Sequence, residues 1–372
     1  MTVAGKVIAQ IERELRAIGE SRGAATRVLS MNLVIVTESI EVAARYTQVV
    51  DDVAASLLAR AIVVGLDPGS RNGGLEGHAV AVQVEKDAFT ERVSLTARGQ
   101  TCLRIPSILE ALLASEVPII LVWLGRLHPH DAVFEQIAER ADRVLIDSEF
   151  TSVTNLVGLS AYAKTHPDAH IADLAWTRLQ PWQELFARFF DQAEHTPFAD
   201  SVERVVIAQA SEAGATIGSE AALLVGWIGT RLGIKAFHAG GAVRYVRPDG
   251  GEVIFELIAV PRPEGVAPST LAEVAFFASR KGETLRGSAV RDLGSGGQRG
   301  RTTDADMVTW KLVSSIGSSL EHRVRLGTNK AAKWLERTLR RPSVDPALLE
   351  SIAFAENVSE EHVHARPEEP TV

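Results

Sequence analysis

Apolar positions in this chain recur with two periods, and their alternation sketches a fold. Val7, Ile8, Ile11, Leu15 and Ile18 fall at helical spacing around Glu12 and Glu14, so Met1–Gly19 is predicted as an amphipathic helix. Arg27–Val36 reads as a strand. Ile40–Leu58 reads as a helix with Val42, Ala43, Tyr46, Val49, Val50, Val53 and Leu57 on its apolar side, and Arg60–Gly65 as a second strand. Strand, helix, strand in that order marks a crossover unit in a largely parallel sheet. A long, turn-rich loop, Leu66–Gly77, leads to two alternating runs, His78–Glu85 and Glu91–Ala97, which read as adjacent strands joined through Lys86 and Asp87. Helices are predicted at Ile105–Ser115, Asp131–Arg140 and Val153–Lys164, around the apolar strands Pro118–Trp123 and Arg143–Ile146. The repeat predicts an open α/β domain with a mostly parallel sheet and helices on both faces.

The polar stretch Thr165–His170 is the expected boundary, giving a first domain over residues 1–168. An α+β domain over 169–293 should follow. In it Asp173–Gln180 reads as an extended arm, because Pro181 suits the first position of a helix and biases Gln180 towards extended backbone. The helix after it carries Trp182, Leu185, Phe186, Phe189 and Phe190 on one face. Arg204–Gln209 reads as a strand and Ser219–Leu232 as a helix. Hairpins are predicted across Arg247–Gly251 and across Arg280–Glu283, in an antiparallel meander. Residues 294–356 read as a Gly-rich linker with two basic helices. One is Asp304–Arg325, with Val308, Leu312, Ile316, Leu320 and Val324 at four-residue spacing, and the other is Lys330–Leu339. Residues 357–372 read as a disordered acidic tail.

The run Asp173-Leu-Ala-Trp-Thr-Arg-Leu-Gln-Pro-Trp182 resembles the signature of the glucose-6-phosphate dehydrogenase assembly protein family, OpcA. Four further stretches are similar to this family in its order. They are Thr26-Arg27-Val-Leu-Ser-Met-Asn32, Pro118-Ile-Ile-Leu-Val-Trp123, Arg143-Val-Leu-Ile-Asp147-Ser148 and Leu223-Leu-Val-Gly226-Trp227-Ile-Gly-Thr-Arg231-Leu-Gly233. The resemblance implies a bacterial, cytoplasmic protein without a reaction or cofactor of its own, an allosteric activator in the oxidative pentose phosphate pathway. It would bind glucose-6-phosphate dehydrogenase and promote its active oligomer.

Composition narrows the alternatives. With 372 residues, 46% hydrophobic and 23% charged, the chain has globular composition and length for about two domains. Its longest strongly apolar run, Val117–Leu124, is far short of the ~20 residues a membrane helix needs. The first helix lacks the uninterrupted apolar core of a signal peptide, so it is expected to remain in the mature protein. Cys102 is the only cysteine, which suits a reducing compartment and rules out an internal disulfide. The net charge of −8 is uneven: Arg280–Arg341 holds fourteen Lys/Arg against six Asp/Glu. For the patch Arg280, Lys281, Arg286, Arg291, Arg299 and Arg301, an acidic protein surface ranks first as partner. A sugar-phosphate effector ranks second and nucleic acid last, since the pI is 5.8.

Candidate chemistry is sparse. Neither Gly65–Gly77 nor Gly294–Gly300 has the spacing of a phosphate loop or a dinucleotide fingerprint. His128-Pro-His130-Asp131 offers two metal-ligating histidines without a third ligand, and Asp131 fits a helix N-cap. Cys102 has only Arg104 near it and reads as a buried small hydrophobe. Asp147-Ser148 closes a strand, where it can cap a helix or line a crevice. No catalytic or metal residue is nominated. The partner-binding candidates are Asp173, Trp176, Arg178, Arg280, Lys281 and Arg286, with the proviso that Arg178 could pair internally with Asp173. The competing reading is an enzyme or sensor that binds a phosphorylated sugar or nucleotide at the first domain's crevice.

Overall fold

The computed structural model describes residues 2–22, 26–127, 131–150, 156, 170–211, 217–239, 242–293, 307–317, 319–326, 331–340, 345–358 and 363–365. The chain divides into two compact units. The first comprises Met1–Thr151, Ala161–Leu174 and Lys330–Val344, and the second Ser152–Ser160, Ala175–Asn329 and Asp345–Val372. No helix among the described residues is long and apolar enough to cross a membrane.

The first unit is built on an eight-stranded, mostly parallel sheet. In chain order its elements are α1 (Val3–Ser21), β1 (Thr26–Arg27), β2 (Met31–Thr37), α2 (Ile40–Leu57), β3 (Ala59–Asp67), β4 (Gly74–Glu85), β5 (Ala88–Arg98), α3 (Ile105–Leu112), β6 (Ile119–Leu124), α4 (Ala132–Ala138), β7 (Arg143–Ile146) and β8 (His170–Asp173). The strand order is β1-β5-β3-β2-β6-β7-β8, with β4 antiparallel to β5. The predicted parallel α/β architecture is therefore present. Leu33, Ile35, Val63 and Val122 pack with Val50, Val53 and Ala54 of α2 in one core. Alternate residues of the same strands, among them Trp123, point to the other face, where Trp123 meets Phe134 of α4 edge-on at 5.2 Å. The Asp131 cap read from sequence is present, its Oδ1 accepting from Val133 N at 2.9 Å and Phe134 N at 3.1 Å, and Ser39 likewise caps α2 by accepting from Val42 N at 3.3 Å. The loop expected over Leu66–Gly77 is shorter than predicted, because β3 runs to Asp67 and β4 starts at Gly74. The helix expected at Val153–Lys164 lies outside the described residues, apart from Leu156.

The second unit is a nine-stranded mixed sheet with helices. Its elements are α5 (Leu174–Ala187, whose first residue belongs to the first unit), β9 (Val202–Ser211), α6 (Ser219–Arg231), β10 (Lys235–Ala239), β11 (Ala242–Val246), β12 (Glu252–Pro261), β13 (Thr270–Arg280), β14 (Glu283–Arg291), β15 (Met307–Ser314) and β16 (Leu320–Arg325). Strand order is β10-β11-β12-β9-β13-β14-β15-β16. The predicted antiparallel hairpins are present, and the sheet becomes mixed because β12 returns parallel to β9. Two helices complete the chain, α7 (Ala331–Leu339) in the first unit and α8 (Pro346–Ala355) in the second.

Beyond residue 293 the structure departs from the sequence reading. Asp304–Arg325 does not form a helix: its described residues are the hairpin β15–β16. A four-residue spacing is also two periods of a strand, and Val308, Trp310, Leu312 and Ser314 all point into the core at period two. The Gly-rich stretch 294–300 lies outside the described residues, and of the described elements between 294 and 356, β15, β16 and α8 fall in the second unit and α7 in the first. In the tail, Asn357 accepts a hydrogen bond from Tyr245, and a strand β17 (Val363–Ala365) pairs in parallel with β12.

Candidate functional site

Asp173-Leu-Ala-Trp-Thr-Arg-Leu is not an extended arm. Leu174 begins α5, and Pro181 lies inside that helix. A proline there costs a hydrogen bond and strains the preceding turn by ~3 kcal/mol, so tertiary contacts must hold this helix. Trp176 supplies one. It is 4% exposed, and its Nε1 donates to Asp345 Oδ2 at 2.7 Å, while Asp345 Oδ1 accepts from Ala347 N at 3.0 Å and caps α8. Arg178 supplies a second through Nε, which donates to Glu220 Oε1 at 2.7 Å in the first turn of α6. Glu220 is thus an internal partner of Arg178. Asp173, 1% exposed at the end of β8, accepts from Ser148 N at 3.0 Å. Asp173 in the first unit and Trp176 in the second are thus buried in the fold, and Arg178 in the second is half-buried in an ion pair.

The apolar stripe of α5 and the turn that follows it is core from Trp182 to Phe189, with Phe190 half-buried. Phe186 and Phe189 pack against Phe276 of β13 at 5.8 and 5.2 Å, and Phe189 stacks on Trp310 at 4.8 Å. Trp310 Nε1 donates to Leu185 O at 3.0 Å, satisfying a carbonyl near the end of α5. The other signature stretches also have structural duties. Asn32, fully buried, exchanges hydrogen bonds with the backbone of Ala114. Arg143 donates from Nη1 to Leu339 O and from Nη2 to Thr338 O, both at 2.8 Å, and so closes the C-terminal end of α7. Burial pulls its guanidinium below the ordinary value. Gly226 and Gly229 on α6 allow α8 to approach. Sequence reading missed the part played by these glycines and by Asp345. The only signal was a pair of glycines three apart on an apolar helix.

The basic candidates behave differently. Arg280 and Glu283 pair across the β13–β14 turn, where Lys281 (φ 52°) and Gly282 (φ 83°) both take left-handed backbone, as a two-residue hairpin turn requires. Lys281 and Arg286 are exposed and Arg280 half-buried. Arg286 lies over the Phe277 ring at 5.0 Å, and Arg291 over Trp182 at 5.3 Å. Arg299, Arg301, His128 and His130 lie outside the described residues. Among the described residues no three His, Cys, Asp or Glu side chains are grouped to hold a metal ion.

The first unit's crevice is where a phosphorylated ligand would be sought. Its strand order reverses between β2 and β6, and open α/β sheets bind ligands outside the carboxyl ends of such strands. Carboxylates stand at this place. Glu38 follows β2, and its Oε2 accepts from Arg126 N at 2.8 Å. Glu41 lies in the first turn of α2, where the Ser39 hydroxyl holds its carboxyl below the ordinary range. Two carboxylates at this helix start oppose a phosphate there. A cavity of about 350 Å³ lined by Leu15, Arg16, Gly19, Arg27, Phe89 and Glu91 lies elsewhere in the unit. Its buried Glu91 is already paired with Arg60 at 2.6 Å and Arg27 at 3.4 Å. Cys102 is buried, donates to Ala97 O at 3.3 Å, and has its thiol pushed up by burial.

Comparison with known proteins gives the family. Two domain families described as parts of a glucose-6-phosphate dehydrogenase subunit match the chain, the N-terminal domain family over residues 50–160 and the C-terminal domain family over residues 169–352. A candidate OxPP cycle protein OpcA of Synechococcus elongatus is 30% identical over 143 residues, 38% of this chain and 31% of that protein. Its counterpart from Synechocystis is 27% identical over 143 residues, again 38% of this chain and 29% of that protein. The match therefore spans under a third of these relatives' length. Among solved structures, biliverdin reductase from Synechocystis has a TM-score of 0.45 at 11% identity, covering 88% of this chain and 98% of that one. UDP-N-acetylglucosamine 3-dehydrogenase from Acidithiobacillus ferrooxidans has a TM-score of 0.43 at 10% identity, covering 90% and 97%. With both family domains present in order, the chain belongs to the OpcA family of glucose-6-phosphate dehydrogenase subunit proteins.

Proposed function

We propose that this protein is a non-catalytic partner of glucose-6-phosphate dehydrogenase that binds the enzyme and favours its active oligomer. The observation that carries the reading is the pair of family matches, both described as domains of a subunit of that dehydrogenase. Linkage is a sufficient mechanism. A partner that binds only the assembled form, at a concentration about 100-fold above its Kd, stabilises that form by about 2.7 kcal/mol. Trp176 and Arg178, held by Asp345 and Glu220, shape the second unit, and the buried Asp173 shapes the first, while Lys281 and Arg286 are exposed and Arg280 half-exposed for contact.

The test is titration of the purified chain into the dehydrogenase of the same organism, following the rate and, by sedimentation, the oligomer. A saturable rise in rate with a shift to a larger species is expected. No binding and no change at micromolar concentrations would overturn the reading. Oxidation of glucose 6-phosphate by this chain alone would replace it with the enzyme reading.

A further inference from the structure

The sheet of the second unit turns Val205, Ile207, Val274 and Phe276 into its core. On the opposite face, directly paired residues form a row across five neighbouring strands. Ile254 of β12 is opposite Arg204 of β9, Arg204 opposite Phe277 of β13, Phe277 opposite Arg286 of β14, and Arg286 opposite Val313 of β15. Strands about 4.8 Å apart make this row roughly 19 Å long. Its apolar ends are open: Ile254 is 58% and Val313 39% exposed. At its centre the half-buried Phe277 lies under the exposed Arg286 guanidinium. An apolar, Arg, aromatic, Arg, apolar row combines side chains that dominate protein interfaces, and contiguous exposure of this kind marks a contact surface rather than ordinary scatter.

We propose that this row is the docking surface for a protein partner whose own surface presents an apolar strip bordered by carboxylates, and that, on the reading given above, this partner is glucose-6-phosphate dehydrogenase. Charge selects the occupant. Arg204 is matched by Glu256 on the same face, whereas Arg286 takes part in no ion pair among the described residues. At the nearby hairpin turn Arg280 stands opposite Glu283, and the exposed Lys281 adds to the positive side. A second copy of this chain fits poorly. The row reads the same from either end, so two-fold stacking centred on Phe277 places Arg over Arg. Carboxylates opposite Arg204 and Arg286 remove that repulsion and accept the free guanidinium hydrogens.

The experiment compares the full-length chain with Arg286→Glu and Ile254→Asp, exposed substitutions for which unchanged melting would show an intact fold. Arg104→Glu, exposed in the first unit, applies the same charge change away from the row. Binding to the dehydrogenase is measured by calorimetry and activation by rate titration, with sedimentation of each chain alone. Each row variant should weaken binding about tenfold or more, while Arg104→Glu matches the unchanged chain. Equal binding by all four would overturn the docking surface and leave the proposed function standing. No binding by the unchanged chain would instead overturn the proposed function and this assignment with it. Self-association of the unchanged chain, abolished by Arg286→Glu, would make the row a contact between copies and likewise overturn it.

Discussion

Gly226→Ala tests whether the close approach of two helices holds the second unit together. A Cβ added at Gly226 would stand 2.1 Å from Ser351 O, 2.8 Å from its carbonyl carbon and 3.0 Å from its Cα. These are backbone atoms of α8, so no side-chain rotation relieves the clash, and α8 must withdraw by roughly 1 Å to restore contact distance. That withdrawal loosens Leu348 and Ile352, both 1% exposed, and disturbs the cap that Asp345 gives α8 from its bond with Trp176. Overpacking of this kind costs typically ~1–3 kcal/mol, while Ala gains ~1 kcal/mol of helix propensity over Gly. Because the obstacle is backbone, we expect the upper end, a net loss of about 2 kcal/mol. For a unit of this size that lowers Tm by roughly 4–8 °C. Gly19→Ala is the matched control: Gly19 is exposed in α1 with nothing within 4 Å of an added Cβ, so only the propensity gain remains. Thermal melts followed by circular dichroism should move in opposite directions for the two variants. If Gly226→Ala melts at or above the unchanged protein, propensity outweighs packing and α8 is not held against α6 by contact.

The remaining predictions concern single side chains. Trp176→Phe removes a hydrogen bond to a carboxylate and should cost ~1.5–3 kcal/mol in urea unfolding, and Trp176→Ala ~3–5 kcal/mol; wild-type midpoints for both would show that Trp176 is no part of the core. Burial pushes the Tyr245 phenol up to about 12, above its unfolded value near 10, so its share of stability is intact below pH ~10 and is lost as pH rises through about 12. That share is about 2–3 kcal/mol. Tyr245→Phe should flatten this part of the alkaline unfolding curve, and superimposable curves would count against it. Cys102, buried with its thiol pushed up, should resist iodoacetamide in the folded protein and react once unfolded. Stoichiometric labelling of folded protein within minutes would contradict this.

How much could be read from sequence depended on the distance over which each constraint acts. The α2 stripe, the Asp131 cap and the β4–β5 and β13–β14 hairpins rest on contacts a few residues apart, and they were legible. Asp304–Arg325 was misread because its four-residue spacing satisfies a strand as well as a helix, and only pairing with β14 decides between them. The start of α5 was misread because a local rule places proline at a helix's first turn. Trp176 reaches Asp345 across 169 positions and overrides that rule. The same separation explains why the family signature looked like a binding motif. Asn32, Arg143, Trp176 and Gly226 find their partners 82 or more residues away, so as a string they show unusual residue types and not what those residues hold. The row from Ile254 to Val313 has the opposite character: each residue is unremarkable in its own strand, and the pattern exists only once register aligns five strands. Substitutions in the signature should therefore report on folding through Tm, and substitutions in the row on partner binding at unchanged Tm. A signature variant that keeps its Tm and loses activation would show that the two layers are not separate.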